Sequence, residues 1–596
     1  MTGDFTFKRR IGVFICRCGK NIAQSVDVPR LADLCATLPW VACVDENIYT
    51  CSDDGLTAII EKVKSEDLTR VVVASCTPRT HEPLFRETVE KAGLNKYLFE
   101  FVNIREQCSW IHPHDIERAT LKAFDLIAMG AAKAAVLKPL HDVVTPVEPS
   151  ALVVGGGVAG MKAALALSSM GAAVHIVEKE PALGGLLRSL SVLHPEMVDG
   201  AELVRSLEEK VRGEPRITVH TSGRIQSVKG YVGNYDAQIL KKDSGGEAAV
   251  GVKAGVVVVA TGASPFEPRG LYCWEEDERV ITSLQLEEEF KKGVVRKGSI
   301  VIINCAALPR LGSAYCGRIC CSVGIKQALT LARRSGGAAI TIVGRNQMVW
   351  GEKGESSYRE ALKQGVRFIR IADDRPPVVQ AAREAGLDVR AVNMLTGETE
   401  TVAADCVVLN VPLVPHHDSR DLARELKVPL EYGGFFKEKH PKLSPVEFSS
   451  SGVFICGAAR FPSTAGESIS QANAAALKAA SMVRAGTITM DAATAAVRDR
   501  VCSGCGWCSE VCPYAALSLS EDRHGRMVAA VNEALCKGCG SCAAACPAGV
   551  MDQKVFGDRQ IMAMVRQLAA NTARAADRKE PVILTFACNW CSYAGA

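Results

Sequence analysis

Residues 150–180 read SALVVGGGVAGMKAALALSSMGAAVHIVEKE: an apolar strand, a glycine turn, an Ala-rich helix and a second strand ending in an acid. That order makes a βαβ unit. Gly155, Gly157 and Gly160 take the three places of a dinucleotide fingerprint. The first permits the tight turn, the second lets backbone approach a pyrophosphate, and the third lets helix and strand pack closely. The helix N-terminus, at Val158 and Ala159, then faces the phosphates with its free N–H groups. Glu178 follows Gly157 at about the spacing expected for the acid that holds the ribose hydroxyls, with Lys179 beside it.

The fingerprint alone does not separate NAD from FAD. Gly184 and Gly185 follow the acid, VVVVATGA at 256–263 is a strand leading into Ala260, Thr261 and Gly262, and GVFICGAA at 452–459 is a late strand leading to a helix. Together these segments resemble the flavin-binding elements of thioredoxin-reductase-like flavoproteins. That resemblance implies an FAD site which also takes in Gly457, Ala458 and Gln471. The acid that family carries after its late glycine is Ala458 here, so its contact to the ribityl chain must come from elsewhere.

The whole chain has 596 residues, of which 48% are hydrophobic and 23% charged, and this predicts several ordinary compact domains. Its formal charge is +4, with no long run of one sign, so no nucleic-acid footprint is expected. The start, MTGDFTFKRR, is polar and charged, which predicts a cytoplasmic protein rather than a secreted one. No uncharged apolar stretch approaches the roughly 18 residues of a membrane span, because the longest candidate, 123–137, holds Asp125 and Lys133. The outlier is cysteine: there are 24, gathered in tight sets. In a reducing compartment such sets are metal ligands or redox centres more often than structural disulfides.

CSGCGWCSEVCP at 502–513 and CKGCGSCAAACP at 536–547 repeat one C-x2-C-x2-C-x3-C-P pattern. Zinc knuckles are the alternative, but two copies of this spacing, each closed by a proline, predict two [4Fe–4S] clusters. In two-cluster ferredoxins the fourth ligand crosses over, so Cys502, Cys505, Cys508 and Cys546 form one set, and Cys536, Cys539, Cys542 and Cys512 the other. ALSLS and RMVAAV, on either side of Asp522–Gly525, predict a hairpin between the runs.

A second βαβ unit is expected to start at GSIVIIN, 298–304, but its turn has exchanged glycines for Cys305, Cys316, Cys320 and Cys321. A helix is predicted from near Cys320 towards Arg334, then the strand AAITIVGR. On spacing alone, a cluster and a redox-active disulfide both remain open. In residues 10–140, Cys16, Cys18, Cys51, Cys76 and Cys108 sit where strands and helices meet, and here buried thiols and a cluster are equally compatible with the spacing.

YCGRICCSVGIKQA, FICRCGKNI, YTCSDDG, ASCTPRTHEP, NIREQCSWIH and FFKEKHPKLSPVE together resemble the A-type subunit of heterodisulfide reductase, over about residues 10–556. The chain is similar to the shorter bacterial form, without the extra ferredoxin insert after Gly185. The resemblance implies four [4Fe–4S] clusters and one FAD. The insert cluster would be held by Cys305, Cys316, Cys320 and Cys321. An amino-terminal one would be held by Cys51, Cys76 and Cys108 with Cys16 or Cys18, leaving Cys35 and Cys43 as packing residues. It also implies Lys326 as a catalytic residue near the isoalloxazine.

The expected fold is α/β: a thioredoxin-reductase-like FAD-binding Rossmann core between an N-terminal α/β iron–sulfur domain and a C-terminal two-cluster ferredoxin domain. The expected boundaries are 1–147 for the N-terminal domain, 148–297 and 411–490 for the flavin domain, 298–410 for the insert, 491–557 for the ferredoxin domain and 558–596 for the tail. That tail ends in TFACNWCSYAGA, and its Cys588 and Cys591 resemble the opening of a small iron–sulfur donor protein. Both a truncated fusion and a partner interface account for it.

The expected activity is flavin-based electron bifurcation inside a heterodisulfide-reductase-like complex. Its partners would be the other subunits, a small iron–sulfur donor and ferredoxin, in a hetero-oligomer where this chain can itself be dimeric. The alternatives are an NAD(P)H-dependent ferredoxin or disulfide oxidoreductase, and a relay protein that only conducts.

Overall fold

The computed structural model describes residues 9–574, apart from 196, 244, 245, 313, 314 and 383–385, together with 582–587. Cys588 and Cys591, and the expectation attached to them, lie outside the described residues. The chain divides into two compact units, Met1–Val143 with Thr489–Ala596, and Val144–Ile488.

The first unit opens with β1 (Ile11–Cys16), α1 (Val28–Ala36), β2 (Val41–Asn47), α2 (Asp53–Ser65), β3 (Arg70–Ser75), α3 (Pro78–Lys91), β4 (Phe99–Asn103) and α4 (Ile116–Ala134). The strands form one parallel sheet in the order β2-β1-β3-β4. β1 and β3 are buried along their whole length, as IGVFIC and RVVVAS require of strands covered on both faces by helices.

The second unit holds two further parallel sheets. The first contains β5 (Ser150–Val154), α5 (Val158–Ser169), β6 (Ala173–Val177), β7 (Ile217–His220) and β8 (Val256–Val259). The other contains β9 (Val280–Thr282), α6 (Ser283–Lys291), β10 (Ser299–Ile303), α7 (Cys320–Ser335), β11 (Ala339–Gly344), β12 (Arg367–Arg370) and β13 (Cys406–Leu409). The chain then returns to the first sheet through β14 (Val453–Ile455) and α8 (Ala465–Ala485). The strand orders are β7-β6-β5-β8-β14 and β9-β13-β10-β11-β12. The second sheet starts earlier than expected. β9 pairs with β13, and Ile281, Leu286 and Phe290 lie in the insert's core, so 280–291 belong to the insert rather than to the flavin domain.

α8 buries Ala472, Ala475, Ala476, Ala479 and Ala480 in the core that also holds the apolar side of α5. Alanine at helical spacing gives this contact a smooth face that lets two helix axes come close. Thr464 and Glu467 close the N-terminus of α8 as a reciprocal capping box.

The first unit is completed by β15 (Leu517–Glu521), β16 (Met527–Val531) and α9 (Asp558–Arg574). β15 and β16 form the expected hairpin between the cysteine runs. The earlier and later parts of this unit's sequence meet here. Asn571 on α9 donates to Asp125 on α4 at 3.0 Å, and the buried Lys133, ion-paired with Glu100 at 2.7 Å, lies 5.3 Å from the Phe556 ring centroid. Among the described residues, no helix is long and apolar enough to cross a membrane.

Candidate functional site: a flavin cradle and four cysteine sets

The turn after β5 is shaped by space. A Cβ on Gly155, at φ +109°, would lie 2.3 Å from the Ala260 carbonyl oxygen, and one on Gly160 would lie 1.8 Å from that of Gly155. A Cβ on Gly157 would meet nothing within 4 Å, so its missing side chain leaves room for a ligand rather than for protein. Gly156, not singled out from the sequence, brings backbone against the acid. Its N–H donates to Glu178 Oε2 at 2.6 Å, while Glu180 N–H donates to Oε1 at 2.9 Å. These bonds fix the carboxylate at the cavity wall.

Two lobes, each of about 1050 Å3, share Gly155, Glu178, Lys179, Thr261 and His416 on their walls. One of them is lined by Gly157, Val158, Ala159, Gly184, Gly185, Ala260, Gly262 and Ala458, and also by Leu413, Ser463 and Ser468. The other runs beside Arg224, Ile225 and Leu422, which no sequence pattern had marked. Thr261 Oγ1 is buried at this wall without a hydrogen-bond partner, which suits a polar ligand group. Gly160, Gly457 and Gln471 stand one step back. Gly160 packs on Gly155, and Gln471 Oε1 accepts from Gly457 N–H at 3.1 Å, holding the turn that presents Ala458.

In the insert, Cys305, Cys316, Cys320 and Cys321 line one cavity of about 390 Å3 with Tyr315, Arg345 and Pro412. Cys305 has φ +58°, a conformation uncommon for a residue with a side chain and held here by its surroundings. Burial, with the neighbouring thiols Cys305, Cys321 and Cys316, pushes Cys320 well above the ordinary thiol value. Burial also lifts Cys321 to about 11. Such thiols stay protonated until a metal binds in place of the proton. The two cavities adjoin: Pro412 lines the cysteine cavity, and the next residue, Leu413, lines the flavin cavity. Arg318 ties them together. Its N–H donates to Cys316 Sγ at 3.4 Å, while its guanidinium donates to Pro462 O at 2.8 Å and pairs with Glu467 at 3.0 Å.

Lys326 does not line either cavity. Its ammonium is ion-paired with Glu287 Oε1 at 2.7 Å and donates to Val192 O at 3.0 Å, at 3% side-chain exposure. Helical geometry explains this correction to the sequence expectation, because six residues after Cys320 is about 240° around the helix. Burial lowers Lys326 from the ordinary lysine value. Burial opposes ionisation of Glu287, but Lys326 with donors Gln327 and Ser191 holds it below the usual carboxylate range.

In the ferredoxin-like part, Cys502, Cys505, Cys508 and Cys546 line one pocket of about 340 Å3, so the crossover set meets in space. Cys536 and Cys539 both act electrostatically on Cys542, and Cys512 packs in the same small core as Cys536 and Cys542. Among the described residues, no group of three or more His, Cys, Asp or Glu could hold a single metal ion. Four sulfurs spread around one pocket, as in the first set, suit a cubane core.

At the carboxyl ends of β1, β2 and β3, Cys16, Cys18, Cys51 and Cys76 come together: the thiols of Cys16 and Cys76 act on both Cys18 and Cys51. Cys18 N–H and Thr50 N–H point to Cys16 Sγ at 3.3 and 3.5 Å. Cys108 is not among them. Its thiol donates to Ala119 O at 3.1 Å inside the core, and burial pushes it up to about 11. The structure therefore brings in both Cys16 and Cys18 and leaves Cys108 as a packing residue. No local signal marked this: Cys18, at φ +46°, lies beyond the end of β1, and only the fold brings its thiol beside those of Cys16 and Cys76.

Residues 149–479 match the model of the pyridine nucleotide-disulphide oxidoreductase family, and 501–550 that of the 4Fe-4S dicluster domain. The chain is 35% identical to the second A-type iron–sulfur subunit of the CoB–CoM heterodisulfide reductase of Methanopyrus kandleri, over 87% of this chain and 92% of the relative. It belongs to the family of heterodisulfide reductase A-type subunits. Another such protein, from the H(2):CoB-CoM heterodisulfide,ferredoxin reductase of Methanothermobacter thermautotrophicus, is 33% identical over 93% of this chain and 97% of its own. The A-type subunit of the ferredoxin:CoB-CoM heterodisulfide reductase of Methanosarcina mazei is 32% identical over 98% and 84%. This heterodisulfide reductase A-type chain is an oxidoreductase that binds FAD and [4Fe–4S] clusters, on a flavoprotein core followed by a dicluster ferredoxin domain.

Proposed function

We propose that this chain is the flavin-based electron-bifurcating component of a heterodisulfide-reductase-like complex, with four [4Fe–4S] clusters and one FAD. The observation that carries the reading is the shared wall at Pro412 and Leu413, which sets four cysteines beside the flavin cradle. When bound, the flavin exchanges electron pairs and each cubane cluster passes single electrons, which is the chemistry that splitting a pair requires.

The chain's residues have distinct tasks in this reading. Glu178 and Thr261 orient the FAD, and the Gly155–Gly157 turn admits its pyrophosphate. Arg318 holds the cysteine loop against the cradle. The Lys326–Glu287 pair locks α7 to α6 and to the 191–192 segment of the flavin domain, making Lys326 a positioning residue. Cys16, Cys18, Cys51 and Cys76 would hold the amino-terminal cluster. The exposed Cys505 and Cys539 put one edge of each ferredoxin-type set at the surface, where ferredoxin or another protein of the complex can exchange electrons.

Anaerobically purified protein should hold about 16 irons and one FAD. Its flavin should titrate with crossed one-electron potentials. Uncrossed potentials would reduce the chain to a conducting relay. Rapid flavin bleaching by NADH or NADPH would point instead to a pyridine-nucleotide oxidoreductase.

A further inference from the structure

The insert and the flavin domain use the same frame, and one position in it has changed its task. In the flavin domain the first residue after the second strand of the βαβ unit is Glu178, at the place where such folds read a ribose. In the insert the first residue after the corresponding strand, β11, is Arg345. In a nucleotide site an arginine at this end of the strand would serve a ribose phosphate. Here it turns into the cysteine cavity, whose wall it forms with Cys305, Cys316, Cys320 and Cys321.

Its contacts hold it there. The guanidinium donates to Tyr315 O at 3.0 Å, hydrogen-bonds Cys305 and lies 3.5 Å from Asp373. Its side chain is only 12% exposed, so solvent screens it little. Tyr315 and Cys316 are adjacent in the cysteine loop, so the same arginine that faces the thiols also fixes the loop carrying them.

We infer that Arg345 is the charge partner of the cluster held by Cys305, Cys316, Cys320 and Cys321 and sets its reduction potential, the nucleotide-reading place of the fold having been turned over to a redox site. The inference rests on the cluster reading given under the proposed function. One-electron reduction adds one negative charge to the iron–sulfur core and its four thiolates. A fixed cation hydrogen-bonded to one of those sulfurs therefore stabilises the reduced form more than the oxidised one and raises the potential. Arginine suits the task because it stays protonated throughout the working pH range, so the stabilisation does not fade as pH rises. Asp373, 56% exposed and 3.5 Å from the guanidinium, pairs with it from the solvent side, where water screens that interaction.

The test is an EPR-monitored potentiometric titration of the anaerobic, cluster-loaded protein in wild type, Arg345→Gln and Arg345→Lys, with iron and flavin quantified in each. Arg345→Gln should keep its iron and FAD, shift this one cluster to a lower potential and leave the ferredoxin-type clusters where they are. Arg345→Lys should recover most of the shift. If Arg345→Gln loses the iron and Arg345→Lys retains it, the positive charge is needed even to assemble the four thiolates, which supports the inference. Iron loss in both would mark a purely structural arginine and overturn it, as would an unshifted potential in a loaded Arg345→Gln. Cys316→Ala separates the inference from the reading beneath it. If that variant keeps all the iron and the full spectrum, no cluster sits at these cysteines and both fall. If it loses one cluster while Arg345→Gln leaves the potential unmoved, only the assignment of Arg345 falls.

Discussion

The two βαβ units of the central region share a strand, a turn, a helix and a second strand, and they differ in how the turn is filled. After β5 the chain needs three residues to reach α5, and glycine supplies the close approaches: Gly160 against Gly155, Gly155 against Ala260. After β10 the connection runs from Asn304 to Ile319 before α7 begins. The helix still packs closely through a glycine, since a Cβ on Gly324 would lie 2.7 Å from Asn304 Oδ1. Backbone amides and a carboxylate face the first cavity, while thiols and a guanidinium face the second. The frame tolerates either, because the sheet and helix are fixed by buried Val, Ile and Ala while the ligand chemistry sits in the connection and at the strand ends.

The largest effect is expected for Gly160→Val, whose Cβ would meet the Gly155 carbonyl oxygen at 1.8 Å. It should abolish flavin binding and unfold the flavin domain, read by flavin absorbance and near-UV circular dichroism. Cys320→Ser should remove about four of some 16 irons and leave the flavin in place, measured by iron analysis and the visible spectrum. Equal loss of both cofactors would show that the two cavities are not independent.

Lys326→Met leaves Glu287 buried and unpaired, which should cost about 3–5 kcal/mol in thermal or denaturant unfolding. Adding Glu287→Gln should recover part of that loss. Because the folded state holds Glu287 below its ordinary value, this stabilisation is present at neutral pH and lost as pH falls through the carboxylate range. Wild type and the double variant should therefore converge in stability in acid. The smallest effect is expected for Cys108→Ala: about 1 kcal/mol of stability from a small cavity, with iron content unchanged. Cys18→Ala should lose a cluster's worth of iron instead. The opposite pattern would return Cys108 to the ligand set.

How far the site was legible varied with how local it was. The fingerprint of residues 155–178 and the repeated ferredoxin runs could be assigned from spacing, since the turn dictates glycine and a short loop can aim three sulfurs at one point. The amino-terminal set could not, because Cys16, Cys51 and Cys76 meet only through the pairing of β1 with β2 and β3. Nothing in the sequence around Cys108 says that its thiol turns inward to Ala119 O. Lys326 shows the same limit: only the placement of α6 supplies Glu287 as its partner. The start of the insert was also misplaced, since β9 is three residues long and is recognised only by its pairing with β13.

By itself, the sequence determined that this chain carries a dinucleotide site and a pair of ferredoxin-type clusters, because glycines at a strand end and cysteines at ferredoxin spacing act within one loop. The tertiary structure alone decided which distant side chains share a wall. The cysteine cavity reaching Pro412 while the flavin cavity reaches Leu413, Arg345 against Cys305, and Cys18 in place of Cys108 each depend on strand order and helix rotation. Those are set by burial of the whole core, and no local pattern encodes them.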